Sequence, residues 1–592
     1  MKIASYAKAI ISLILYPIKS HTSLFLLTWI MSCAICLLGR QNGIESNLLT
    51  TGFLSIFDCY LLCVLAALLQ KIKLGWLAYV IAVSFLFSEI FVVLFNHSFL
   101  NRYTVQLVLE TDGREGTEFV TTVLFQSEML WAIFITLLSI LITIFIRKCL
   151  NKFIKCIIPH FVFSLYLLCM ILWSCVWQGR SYEKLYNCFH ANNALECEEP
   201  ECMPFLDTPI VRLVYGIAYN SVLSTTELER LAMSMENTRV DSCSFRCPLI
   251  IVVIGESYSK HHCYLYNKEG LPNTPRMQRK VDLGNLFIYN DVVSPFNHTH
   301  EVFKYMFSTW DDTCSDSWSE HTLFTAVFKK AGYRVLFVTN QFTQNTDDKI
   351  NVLGGTIFNQ KRLSDLQFTN RNKKSYTYDE GLFNEMPSSE EIKKAPTILI
   401  VHLLGQHVTY WDRYPSEAAI FKPEEAKNKF GGDKCKTVAI SYENATFYND
   451  WVVDSLLNKY ADTDMIALYF SDHGEEVYDW REKFMRTDEK ELLPEVAHFQ
   501  YEIPFMFYMT DEFIKRHKDI AADVKSSCNK PFILTDLPNI LFHLGGIHMK
   551  DYQAEKDLLS PLYNIKRKRM IRKDIDYDLL MKEFKHSIES EL

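Results

Sequence analysis

Five apolar stretches, at approximately 22–39, 51–70, 75–96, 128–146 and 157–177, constrain this chain more than any other feature. At about 17–25 residues each is long enough to cross roughly 30 Å of hydrocarbon as a helix, the form that satisfies its own backbone polar groups in lipid. Lys and Arg collect on one side: Lys2, Lys8 and Lys19 before the first stretch, Lys71 and Lys73 after the second, and Arg147, Lys148, Lys152 and Lys155 after the fourth. The positive-inside rule makes that side cytoplasmic and puts everything beyond the fifth stretch on the opposite face. More spans follow the first stretch and no small-residue cleavage site stands out, so it reads as an anchor and not as a cleaved signal.

The segment 97–127 is too polar to span, with Glu110, Thr111, Asp112, Glu115 and Glu118 set among apolar residues at helical spacing. It is expected to form a helix lying on the outer membrane surface. A second amphipathic run at 210–235 falls in a juxtamembrane linker. The expected division is therefore a membrane domain over 1–178, a linker over 179–246 and a polar domain over 247–592, in keeping with a chain too long for one ordinary domain. A net charge of -8 and a pI near 6.1 argue against a nucleic-acid binder, whose footprint is basic. Of the 17 cysteines, eight fall in the apolar third, where Cys serves as a small hydrophobe. The rest, if exported, have an environment that permits disulfides, although the sequence assigns no pairing. Cys243 and Cys247 lack a second pair to complete a zinc ribbon.

From Pro248 the pattern changes to short apolar runs at 249–254, 333–339, 397–402, 465–470 and 504–509, separated by helical stretches. That alternation predicts an α/β domain with a mainly parallel sheet, whose functional groups lie beyond the carboxyl ends of the strands. The first run leads into Gly255-Glu256-Ser257, the third into His402 and the loop to Gly405 and His407, and the fourth into Ser471-Asp472-His473-Gly474-Glu475. Carboxylates with imidazoles suit Zn²⁺, and Mn²⁺ less well, since thiolates are absent from these ends and an all-oxygen Mg²⁺ cage needs no histidine. Each piece also has a plainer reading. Glu256 alone would serve as a helix cap or surface group, and His402, on an apolar strand, as a satisfied core histidine; His407, in the loop, is less easily dismissed.

Together, Gly255-Glu256-Ser257 followed by His262, Leu265-Tyr266 and Asn273-Thr274-Pro275, then His402, Gly405 and His407, Arg413-Tyr414-Pro415 and Ser471-Asp472-His473-Gly474-Glu475, all after five spans, form a specific pattern. It resembles the phosphoethanolamine transferases that modify lipid A and related lipopolysaccharide sugars, within the alkaline phosphatase and sulfatase superfamily. The resemblance covers nearly the whole chain, although Ser-Asp-His-Gly alone would mark only the superfamily. It implies five transmembrane helices plus an α/β alkaline-phosphatase/sulfatase-like catalytic domain with a mainly parallel central sheet. The implied activity is metal-dependent transfer of phosphoethanolamine from phosphatidylethanolamine to a lipid A or other lipopolysaccharide or glycan acceptor.

By the same resemblance Thr299, in the segment 293–299, is the nucleophile. Glu256, Thr299, Asp472 and His473 hold one tightly bound Zn²⁺. His407 and His498, joined by His402, hold a second metal or the phosphate, and Thr111 and Glu115 contact the donor head group. The chain departs from the family at Leu107, where an asparagine is expected, and at Lys260, where arginine is usual. A monomer is implied, multi-pass in a bacterial inner membrane, with its catalytic domain in the periplasm. The plainer reading of Thr299 is a helix N-cap, since Glu301 and Val302 follow it; capping and phosphate binding are compatible at a helix start.

Rival readings are a related phosphoglycerol transferase, a membrane-tethered sulfatase or phosphodiesterase and, more remotely, a non-catalytic membrane sensor. A sulfatase would need a Cys/Ser-x-Pro/Ala-x-Arg motif, which is not evident near Thr299. A sensor predicts missing ligands, and every expected ligand position is filled.

Overall fold

A computed structural model describes residues 2–189, 208–342, 353–427, 430–487 and 492–584, apart from 45, 102, 103, 106, 107, 109–112, 125, 157–159 and 583. It divides into two compact units, one built from Met1–Thr226 and one from Glu227–Thr487 with Glu491–Leu592. The boundary falls inside the helix Pro209–Asn237.

The first unit contains five helices long and apolar enough to cross a membrane: Thr22–Gln41, Leu48–Gln70, Gly75–Asn96, and segments of Ser127–Cys156 and His160–Phe189. Leu141, Phe145, Trp173 and Trp177 point outward from them, an arrangement stable against lipid and not against water. Two buried acidic groups among the described residues of the unit have polar partners, as expected where hydration is lacking. Glu89 is fully buried and accepts from Arg212 Nε at 2.7 Å, and Asp58 accepts from Gln178 Nε2 at 3.2 Å. The segment 97–127 contains the helix Gly113–Val123. Thr111 and the side chain of Glu115 lie outside the described residues, as do Gln106 and Leu107.

The second unit is organised by a seven-stranded sheet. Its strands are β1 (Leu249–Gly255), β2 (Leu286–Ile288), β3 (Arg334–Thr339), β4 (Asn370–Arg371), β5 (Thr397–His402), β6 (Met465–Ser471) and β7 (Phe505–Met509). Their spatial order is β2-β7-β6-β1-β5-β3-β4. β1, β5 and β6 are buried along their whole length, so they read in sequence as unbroken apolar runs. The adjacent pairs from β6 to β4 are parallel. The strand β7, expected within a parallel set, runs antiparallel to both β6 and β2. A run of apolar residues carries no information about direction, and β2 and β4, at three and two residues, are too short to show periodicity.

Register brings the chemistry together. Ile254 pairs with His402, Gly255 with Ser471, and Thr339 with His402, so four neighbouring strands end level with one another. Among the described residues of this unit, Cys243, Cys247, Cys263, Cys314, Cys435 and Cys528 are free, and Cys247 and Cys263 are buried in apolar packing. The pattern around His262 is scaffolding. His262 bridges Glu443 (2.7 Å) and Asp479 (3.0 Å), and although burial alone would lower its pKa, these carboxylates push it up to about 10. Pro275 opens the helix Pro275–Asp282, whose free N–H groups at Arg276 and Met277 are taken by Asp450.

Candidate active site

Glu256 follows β1 directly and is fully buried. Its carboxylate accepts from Thr299 Oγ1 at 3.2 and 3.0 Å, from Ser257 Oγ at 2.9 Å and from Gln341 Nε2 at 3.2 Å. Asp472, the first residue past β6, accepts through Oδ1 from the backbone N–H groups of Ser257 (3.1 Å) and His473 (2.8 Å). Its Oδ2 is buried and accepts no hydrogen bond. His473 Nδ1 lies 2.8 Å from the Gly474 carbonyl, a contact that only a protonated Nδ1 can make. The lone pair of Nε2 is thereby aimed at Glu256 Oε1 and Asp472 Oδ2, each 3.2 Å away, and at Thr299 Oγ1, 3.4 Å away.

Three electron-rich atoms thus converge on one buried point. Burial and the neighbouring Glu256 carboxylate push Asp472 well above the usual carboxylate range. Burial acts on Glu256 in the same sense, but the neighbouring imidazoles of His402 and His473 outweigh it and hold Glu256 well below that range. Burial, helped by the charge of Arg486, keeps His473 neutral. An orphaned carboxylate oxygen, a neutral imidazole with its lone pair turned inward and a second carboxylate form the donor set that suits Zn²⁺. Glu256, Asp472 and His473 offer ligand atoms that all lie within 4.8 Å of one another.

Thr299 is the first residue of the helix Thr299–Phe307, and the cap is His298, which makes no side-chain cap bond. The N-cap reading of Thr299 is therefore replaced: its hydroxyl turns to Glu256 instead of closing its own helix. The free N–H groups of that helix start add a partial positive charge suited to an anion.

The loop after β5 is pressed against Glu256. The Gln406 N–H donates to the Glu256 carbonyl at 3.0 Å, and Asp379 holds the Leu404 and Gly405 N–H groups at 2.8 and 2.9 Å. Gly405 has φ +51°, and a Cβ there would lie 2.9 Å from both the N and the O of Glu256. Ser257 is itself held at φ 55°, strained backbone of the kind that concentrates at functional sites.

His402 is buried beside this cluster, with Nδ1 3.1 Å from Thr339 Oγ1 and Nε2 3.9 Å from Glu256 Oε2. His407 is buried in the same loop and is an electrostatic neighbour of both Glu256 and Glu475. The structure does not bring His498 to them. It places His498 with His261, ring centroids 3.9 Å apart, and Glu502. Lys260 also turns that way, to Glu502 at 2.9 Å.

Residues passed over in sequence complete the cluster. Gln341 bridges Glu256, His402 and the Leu403 carbonyl. Arg486 Nη1 donates to His473 Nε2 at 2.8 Å and Arg486 Nε sits 3.5 Å from Glu475 Oε2, while Glu475 Oε1 accepts from Tyr410 at 2.6 Å. Gln341 stands two residues past β3, where the strand-end rule would have found it. Arg486 comes from a loop without a motif.

Residues 248–529 match the sulfatase family model. Phosphoethanolamine transferase EptC of Escherichia coli O18:K1:H7 is 28% identical over 326 residues, 53% of each chain. Phosphoethanolamine transferase EptA of Helicobacter pylori is 24% identical over 325 residues, 54% of this chain and 59% of that one. The chain thus matches about half the length of these curated relatives. The solved integral membrane lipooligosaccharide phosphoethanolamine transferase A of Neisseria meningitidis shares the fold with a TM-score of 0.55, at 16% identity over 91% of this chain and 98% of that one. Residues 248–529 thus match the sulfatase model, behind five membrane-length helices, and the curated relatives that the chain resembles are phosphoethanolamine transferases.

Proposed function

We propose that this protein transfers phosphoethanolamine from phosphatidylethanolamine to lipid A or another lipopolysaccharide or glycan acceptor, through a covalent intermediate on Thr299. The observation that carries this reading is the Thr299 hydroxyl, turned away from helix capping and bonded to Glu256 among Asp472 and His473. Glu256, Thr299, Asp472 and His473 would hold a Zn²⁺, which lowers the hydroxyl pKa and withdraws charge from phosphoryl oxygens.

Glu256 orients the Thr299 hydroxyl by accepting its hydrogen bond. Thr299 Oγ forms a bond to the donor phosphorus, the bond from phosphorus to the diacylglycerol oxygen breaks, and that oxygen leaves with a proton. An acceptor oxygen then attacks the phosphothreonine, gives up its proton and releases the Thr299 hydroxyl. The helix start at Thr299 favours the phosphate in both steps. His407 and His402 belong to the same site, and Thr111 and Glu115 are assigned to the donor ammonium. In this reading the protein is a monomer of a bacterial inner membrane, held there by its five membrane-length helices and drawing both lipids from the bilayer, with the catalytic domain in the periplasm. The test is mass spectrometry of lipid and glycan pools from cells with and without the gene. The expected result is loss of a phosphoethanolamine increment from one pool, and no change in any pool contradicts the reading.

A further inference from the structure

We propose that His261, His498 and Glu502 form a second divalent-metal site of Zn²⁺ type, separate from the strand-end cluster. Their ligand atoms lie within 4.8 Å of one another, as those of Glu256, Asp472 and His473 do. His498 lies in the last turn of the helix Pro494–Tyr501, and Glu502 is the extended residue that follows the helix, close enough for the two side chains to meet. His261 arrives from the short turn Lys260–His262 beyond β1. Its ring lies against that of His498, with centroids 3.9 Å apart.

Each imidazole has a nitrogen near a different oxygen of one carboxylate: His498 Nδ1 is 2.9 Å from Glu502 Oε1, and His261 Nε2, which also lies 3.0 Å from the His498 carbonyl, is 3.4 Å from Glu502 Oε2. Ligand bonds of about 2.0–2.1 Å in a tetrahedron separate donor atoms by about 3.3 Å. The observed separations bracket that value, so a small ion fits with little rearrangement. Two histidines and a glutamate are also a donor set that zinc enzymes use, leaving a fourth position open.

The surroundings supply the supporting shell. Tyr577 donates to Glu502 Oε1 at 2.8 Å and Lys260 to Oε2 at 2.9 Å, which fixes the carboxylate; the two imidazoles take its remaining lone pairs, and a cation would bind by displacing their protons. The site faces a cavity of about 1060 Å³, which it lines with Lys260, Tyr577 and Arg569. An open fourth position there is accessible to an oxyanion from solvent. Lys260 also sets a limit, because its charge competes with a cation, and the site is weaker than the strand-end cluster for that reason.

This inference does not depend on the transfer reading, since its readout is bound metal. Zn²⁺ alone is titrated into the full-length protein in detergent, and crystals are measured at the zinc absorption edge. The expected result is an anomalous peak bonded to His261, His498 and Glu502, in addition to any at Glu256. His498→Ala removes that peak and one zinc per chain, and Lys260→Gln, which keeps a hydrogen bond but not the charge, tightens the site about tenfold. His261→Gln serves as the second ligand variant should His498→Ala fail to fold. A zinc count unchanged by either ligand variant, a peak elsewhere or absent, or occupancy only at millimolar zinc overturns the proposal.

Discussion

The two histidine-carboxylate clusters of the second unit are built from similar atoms and differ in how their charge is balanced. At the strand ends, Glu256, Asp472 and Glu475 face Arg486 and a set of histidines, and one Asp472 oxygen is left without a hydrogen bond. Around Glu502, one carboxylate is answered by Lys260, Tyr577 and two histidines. The carboxylates of the first cluster are fully buried and outnumber the arginine that faces them, and the second cluster is nearly neutral beside a cavity. Ligand type alone therefore does not set how strongly a site calls for a cation. Burial and the count of opposing charges do.

The largest effect that should separate the clusters is on chemistry. Thr299→Ala is expected to lower transfer by about 10³-fold or more while zinc still binds, whereas His498→Ala leaves transfer within a few-fold. Phosphoethanolamine transfer is the assay.

Next comes a buried ion pair with no ligand role, as a control. Asp311 and Lys556 are both buried and bonded to each other. Asp311→Asn, which leaves the ammonium without its carboxylate, is expected to destabilise the second unit by about 3–5 kcal/mol without altering zinc content. Burial would raise the Asp311 pKa, but hydrogen bonds from Lys556, Thr313 and Gln553 outweigh it and hold it below the usual range. A depressed folded-state pKa means that the stabilisation is fully present above the unfolded value of about 3.9 and is lost as pH falls through the folded one. Thermal melts from pH 7 to 3 should show the gap between wild type and Asp311→Asn narrowing only at the acid end.

A smaller loss is expected from Gly405→Ala, which combines a left-handed backbone with a close approach to Glu256. A cost of about 1–3 kcal/mol in stability should accompany weaker zinc binding at the strand ends and none at Glu502. The smallest effect sharpens the charge argument: Arg486→Gln should raise zinc affinity at the strand-end cluster by about tenfold. Calorimetry with Zn²⁺ reads both.

Much of this site was legible because parallel strands buried on both faces announce themselves as apolar runs, and their ends locate functional groups. Glu256, His402, Asp472 and His473 each sit at such an end. The direction of β7 was not legible, since an apolar run reads the same either way. Arg486 was hidden because a loop residue reaches a site through tertiary packing and leaves no local pattern. Position in a family pattern groups His498 with His407, whereas the structure pairs it with Glu502, just past the end of its helix. The hydroxyl of Thr299 could be capping or chemical from sequence, and only the contact with Glu256 distinguishes the two.

The central claim is tested most directly by the intact mass of the full-length protein after incubation with phosphatidylethanolamine and no acceptor, followed by peptide mapping. The account predicts a phosphoethanolamine adduct on Thr299 that disappears when acceptor is added. A phosphoglycerol adduct, or undiminished transfer by Thr299→Ala with no adduct on the wild type, would contradict it.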